Sequence, residues 1–194
     1  MRRLRPRGVA DLRGAAPEPL ELAYPPDALL VVAGLPGAGK TMLLERLFPA
    51  GEALDSERLH RRWERRVAMR GRRRVYRPLV HAEHHLRIQA RLRGRGPVVV
   101  HENATRRPVR RLLALTARRR GRPAHVLVLE VDPEVAAAGR EARGRTGSRA
   151  NLARHDRRLA RLGGGDGWLR AGYASCVRVD RAGAAAIARI AFDG

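Results

Sequence analysis

A short apolar run, Ala28-Leu29-Leu30-Val31-Val32-Ala33, leads directly into Gly34-Leu35-Pro36-Gly37-Ala38-Gly39-Lys40-Thr41, and Met42-Leu43-Leu44-Glu45-Arg46-Leu47 follows with helical character. The eight residues from Gly34 to Thr41 satisfy G-x-x-x-x-G-K-[ST] at every fixed position. A β-branched run before the loop reads as a buried parallel strand. Strand, glycine loop and helix in that order let backbone N–H groups and a helix N-terminus converge on a polyphosphate. In this arrangement Lys40 reaches the phosphates as a compact point charge, and the Thr41 hydroxyl is offered to a magnesium ion. The chain has 41 basic residues, and Lys40 is the single lysine among them. A lysine stands only where a planar guanidinium would fit poorly.

At 194 residues with 44% hydrophobic content the chain suffices for one well-buried α/β domain and is too short for two. Residues 1–26 are rich in Arg, Pro and Glu with little periodicity, and read as a lead-in segment to a domain spanning 27–194. After the loop helix, 52–55 predicts a short second strand ending at Asp55. Helices at 56–69, with Ser56 as N-cap, and at 77–92 form an insertion before a third strand at 98–102. Thr105 is placed to cap a helix over 106–120, and 125–131 predicts a fourth strand. Asp132 and Pro133 suit the N-cap and first position of another helix. A helix over 151–162 ends at Gly163-Gly164-Gly165, and a last strand at 175–179 precedes a helix at 182–190. Five strands separated by helices make a P-loop NTPase, a three-layer αβα sandwich around a five-stranded parallel sheet, the economical fold.

A net charge of +22 would by itself suggest a nucleic-acid partner. Abundant Arg, Ala, Gly and Pro with scarce Lys, Ile and Asn is, however, the pattern of GC-rich coding, and 4% aromatic residues give few platforms for stacking bases. Solvated arginine-rich helix faces are the simpler reading, so nucleic acid is not the favoured partner. Cys176 is the only cysteine, which excludes an internal disulfide and suits a reducing cytoplasm. Arg2, Arg3, Arg5 and Arg7 are followed by no apolar leader core, and no run approaches a membrane span.

What happens at the phosphate must come from other residues. Asp55, at a strand end, is placed to accept the proton of an attacking hydroxyl or simply to cap the next helix, and Arg58 follows it by one helical turn. His101 and Glu102 end the strand beside the loop, where one carboxylate could hold the magnesium. Arg140, Arg143 and Arg145 cluster around a helix end and a Gly-Arg-Thr-Gly segment with the character of a lid over ATP. His81, His84 and His85 cluster on the inserted helix without the remaining ligands of a zinc site, so surface or substrate-facing roles are expected for them.

Over residues 27–192 the chain resembles the small P-loop kinases related to polynucleotide 5′-hydroxyl kinase, zeta toxin and chloramphenicol phosphotransferase, a group often labelled AAA family ATPases. The resemblance is carried by Gly34 to Thr41, by Asp55-Ser56-Glu57-Arg58 as D-x-x-R, by Arg110 in the helix after the third strand, and by Arg140-Glu141-Ala142-Arg143 as R-x-x-R. It implies Asp55 as general base, Arg58 as an acceptor or phosphate contact, and Arg140 and Arg143 as lid arginines. The cofactors implied are ATP and Mg2+, and the partner an unidentified hydroxyl-bearing acceptor. Where the group usually has an aspartate directly after the third strand's apolar run, this chain has His101, so Glu102 is the substitute metal ligand. The chain is too short for the helical lid domain, sensors and arginine finger of AAA+ machines. The expected activity is phosphoryl transfer to a hydroxyl; the alternatives are a nucleotide-binding regulator with little transfer and a nucleic-acid-dependent ATPase or polynucleotide 5′-kinase.

Overall fold

A computed structural model describes residues 1–14, 18–48, 52–66, 73–142 and 149–193. Its central strand is β4 (Leu29–Gly34), buried along its whole length. Leu30 and Val32 enter one apolar cluster and Leu29, Val31 and Ala33 the other. That alternation is the signature of a strand covered on both faces. Parallel to β4 lie β6 (Val98–His101) on one side and β7 (Ala124–Leu129) on the other. β5 (Leu54–Asp55) extends the sheet beyond β6, and β8 (Ser175–Val179) extends it beyond β7. All five expected strands are therefore present and parallel.

The sheet has a sixth strand. β2 (Gly8–Asp11) pairs in parallel with β8 at the edge. β1 (Arg2–Leu4), β3 (Leu20–Tyr24) and β9 (Ile187–Phe192) form a second, three-stranded parallel sheet. Residues 1–26, read from the sequence as a lead-in, thus supply three strands, and Leu20, Leu22 and Tyr24 belong to a main core cluster. Glu21 on the opposite side of β3 is buried between Arg3 at 3.3 Å and Arg189 at 3.6 Å. The helix expected over 182–190 ends early: α8 covers Arg181–Ala186, and the chain then extends into β9 to pair with β3. Alanine favours helix, but the apolar face offered by β3 decides the conformation.

The remaining helices are α1 (Lys40–Leu47), α2 (Ser56–Arg66), α3 (Arg73–Arg93), α4 (Arg107–Arg118), α5 (Pro133–Glu141), α6 (Arg149–Ala160) and α7 (Asp166–Leu169). α5 starts as its sequence predicts, with the Asp132 side chain accepting from the Glu134 N–H at 2.8 Å and Pro133 at the first position. α4 does not: Arg106 occupies its N-cap without a side-chain cap bond, and the Thr105 hydroxyl instead meets His155 Nδ1 at 2.7 Å. No described helix is long and apolar enough to cross a membrane.

The strand order β2-β8-β7-β4-β6-β5 places the chain's successive crossovers first on one side of β4 and then on the other. A crevice opens outside the carboxyl ends of the strands at such a reversal, and ligands bind there. Because Leu22 is fully enclosed, Leu22→Ala should lower the free energy of unfolding by about 2–5 kcal/mol. Chemical denaturation at neutral pH reads this, and a loss below about 0.5 kcal/mol, the scale of a surface change, would mean that the N-terminal strands are peripheral.

Candidate active site

The loop from Gly34 to Thr41 turns from the end of β4 into α1, with Leu35, Pro36 and Ala38 between its glycines. Gly34 has φ 142°, Gly37 φ 97° and Gly39 φ 108°, a region that side-chain-bearing residues rarely adopt. A Cβ on Gly34 would collide with the Leu129 carbonyl, and one on Gly37 with the Ala136 carbonyl. The loop therefore runs against the end of β7 and the first turns of α5. Lys40 is buried, its Nζ donating to the carbonyls of Gly34 at 3.0 Å and Leu35 at 2.8 Å. These bonds hold the ammonium over the mouth of the loop.

The loop forms one wall of a cavity of about 810 Å³. Pro36, Gly37, Gly39, Lys40 and Thr41 line that wall, and Arg140 of α5 closes over it, its Cγ 2.8 Å from where a Gly37 Cβ would lie. α2 contributes Ser56, Glu57 and His60, and α3 contributes Arg77, Pro78, His81 and His85. The segment from His101 to Arg106 and the α6 residues Asn151 and His155 complete it. The inserted helices thus wall the cavity, with His81 and His85 on its surface.

Asp55 and His101 are register partners across β5 and β6. His101 Nδ1 lies 2.8 Å from Asp55 Oδ1, and the same oxygen accepts from the Glu57 N–H at 2.8 Å. Burial disfavours the charged carboxylate, but the His101 hydrogen bond and charge, with the Glu57 N–H, outweigh it and hold Asp55 below the usual carboxylate range. Of the two readings of Asp55, the cap is present, through the Glu57 N–H. His101 faces the main cavity, whereas Asp55 lines a small neighbouring pocket with Thr41, Glu45 and Arg58.

Arg58 lies apart from the main cavity, half-exposed and 3.7 Å from Glu45 of α1. Glu102 is buried on the cavity wall, its Oε2 3.8 Å from His84 Nε2, and neither atom has a hydrogen-bond partner. Burial, reinforced by His85, pushes His84 down to about 4, so at neutral pH it brings no charge to Glu102. Glu102 and Thr41 line the same cavity, and carboxylate and hydroxyl oxygens suit a hard cation, so these two could hold magnesium. Arg143 and Arg145 lie outside the described residues. Arg106 and His155 were not singled out by the sequence. In a chain dense with arginine nothing local marks Arg106, and His155 reaches the site only through the packing of α6.

Fold and site together define a P-loop nucleotide-binding protein of the kinase-like type. The AAA domain model (AAA_33) matches residues 29–164, and the chain belongs to that family. A search of proteins of curated function finds no match. Among solved structures, a gluconokinase from Sinorhizobium meliloti 1021 is similar at 21% identity, with 84% of this chain and 93% of that one covered and a TM-score of 0.53. A tunicamycin resistance protein from Deinococcus radiodurans matches at 20% identity over 70% of this chain and 79% of its own, with a TM-score of 0.46.

Because a Cβ at Gly37 has no room, Gly37→Ala should weaken nucleotide binding by tenfold or more, about 1.4 kcal/mol, while the protein remains folded. Titration with a fluorescent ATP analogue checks this. A second expectation concerns His155, which burial, with Arg158 and Arg106 as secondary causes, pushes from 6.5 down to about 4. Between those values the unfolded chain takes up a proton that the folded one refuses. Stability is therefore full above about pH 6.5 and declines as pH falls toward 4, by at most about 3 kcal/mol for this residue. His155→Gln should flatten the fall in urea midpoint between pH 7.5 and 5.

Proposed function

We propose that this protein is an ATP- and magnesium-dependent phosphotransferase acting on a hydroxyl acceptor. The observation that carries the reading is the convergence on one cavity of the phosphate loop, the buried Lys40, Arg140 and His101, behind which Asp55 is hydrogen-bonded at 2.8 Å. Lys40 and the loop N–H groups bind and orient the phosphates. Thr41 and Glu102 would hold magnesium, which would neutralise phosphate charge. The acceptor oxygen attacks the γ phosphorus, the bond to the β–γ bridging oxygen breaks, and ADP leaves. Asp55, kept ionised by its hydrogen bonds, takes the acceptor's proton, with the cavity-lining His101 as its partner. Arg140 bears on the transferring group.

Supporting the reading are the family membership and the fold shared with a kinase. Arg58 contributes through Glu45 and the Thr41 side of the loop rather than by contact in the main cavity. The test is γ-phosphoryl transfer with magnesium across sugars, nucleosides, aminoglycosides and hydroxyl-terminated oligonucleotides, for the wild type, Lys40→Ala and Asp55→Asn. Transfer should vanish in Lys40→Ala. It should fall by a factor on the order of 10²–10⁴, the usual worth of a general base, in Asp55→Asn with ATP affinity little changed. ATP binding without transfer to any acceptor would instead make the protein a nucleotide-binding regulator.

A further inference from the structure

Helix α6 buries a histidine on a face that otherwise packs with leucine. Leu152, His155 and Leu159 are spaced i, i+3, i+7 and so share the inward side of the helix. Leu152 enters a main core cluster and Leu159 packs against it, while His155 between them is buried at 7% exposure. A leucine at 155 would continue the stripe, so packing alone does not account for an imidazole there.

One partner of the ring is Thr105, in the segment that follows β6, whose Oγ1 lies 2.7 Å from His155 Nδ1. With Nδ1 so engaged, Nε2 is the ring nitrogen left for a group in the cavity that His155 lines. Gly37, Gly39, Lys40 and Thr41 of the phosphate loop line the same cavity. Burial first, then the charges of Arg158, Arg106, Lys40 and Arg77, push His155 down to about 4, so at neutral pH it is uncharged. Because Lys40 is one of those charges, the imidazole stands within electrostatic reach of the loop's ammonium.

The loop N–H groups and Lys40 wrap the inner phosphates of a nucleotide from the β4–α1 side. The terminal phosphate emerges from that wrap with oxygens turned to the other walls of the cavity. An anionic oxygen only accepts hydrogen bonds, so it selects the imidazole tautomer that carries its proton on Nε2. Thr105 serves that tautomer, because its hydroxyl then donates to the bare Nδ1. A neutral imidazole adds a donor there without adding a positive charge to those of Lys40 and Arg140.

We infer that His155 donates its Nε2–H to the terminal phosphate of the bound nucleotide, with Thr105 as the positioning residue that holds the ring and its tautomer. The inference rests on the nucleotide-binding part of the phosphotransferase reading and not on the acceptor or the transfer step. It makes α6 an element by which the chain tells ATP from ADP.

Calorimetry in the presence of magnesium compares a non-hydrolysable ATP analogue with ADP, on the wild type and on variants at the two positions. His155→Leu continues the apolar stripe and should stay folded. It should weaken the analogue about tenfold or more, the loss of a hydrogen bond to a charged group, and leave ADP within about twofold. His155→Gln, whose amide keeps a donor, should recover most of that loss. Thr105→Val should weaken the analogue about threefold, the scale of one neutral hydrogen bond, and Thr105→Ser should restore it. In the wild type with the analogue bound, NMR of the imidazole nitrogens should show His155 protonated at Nε2 and bare at Nδ1. Equal losses for the analogue and ADP would mark a purely structural histidine and overturn the inference. An unchanged analogue affinity in His155→Leu, or a proton on Nδ1 in the complex, overturns it as well. Binding of the analogue that depends on His155, without transfer to any acceptor, leaves the inference standing and removes the phosphotransferase reading alone. A wild type that binds neither nucleotide removes both.

Discussion

The close approach of the glycine loop to the β7–α5 connection is the constraint on which the site depends. Gly34 lies against the Leu129 carbonyl and Gly37 against the Ala136 carbonyl, each too close for a side chain. The end of the central strand, the loop and the start of α5 are consequently held as one unit. Arg140 sits one turn beyond Ala136 on the same helix, so the contact that excludes a Cβ at Gly37 also aims a guanidinium over the loop. Lys40 completes the arrangement from within, its ammonium bonded to two carbonyls of the loop it serves. A guanidinium has donors in a fixed fork and could not occupy that small space in the same way.

The high arginine content has a structural as well as an electrostatic side. Arg122 is buried and donates to carbonyls of Asp27, Leu92, Gly94 and Gly96, tying the ends of α3 and β7 to the start of β4. Arg46 bonds the Ala184 and Ile187 carbonyls where α8 becomes β9. Arg110, stacked over Trp168, holds the Ala104 and Thr105 carbonyls, and Ala104 carries a left-handed φ of 47°. Each meets carbonyls that the elements leave unpaired, a cost that burial would otherwise impose. Part of the formal charge of +22 thus serves structural roles.

Much of the fold was legible because its signals are local. The β4–loop–α1 unit carries a motif with a geometric requirement at each glycine, and Asp132-Pro133-Glu134 starts a helix by chemistry contained in three residues. The second sheet had no such signal. Leu20, Leu22 and Tyr24 alternate correctly, but the strand's partners are residues 2–4 and 187–192, so the surface that makes it a strand comes from the two ends of the chain. The same long-range pairing overrode the alanine-rich helix at Ile187. At the site, Lys40, Thr41 and Arg140 were readable from motifs, whereas Thr105 was read as a cap because the alternative partner, His155, is fifty residues away.

The departure at His101 acquires a physical sense from its register. A carboxylate at that position would face Asp55 across one rung of the sheet, where two buried negative charges raise each other's pKa and one of them protonates. Histidine reverses the interaction. Its Nδ1 at 2.8 Å stabilises the ionised Asp55, which needs such support because burial alone works against its charge. Glu102, the next residue, lines the cavity wall, where it is the carboxylate nearest in sequence to that position. One change in the strand's last residue accordingly links two features: a proposed base that keeps its charge, and a proposed magnesium ligand displaced by one position along the chain.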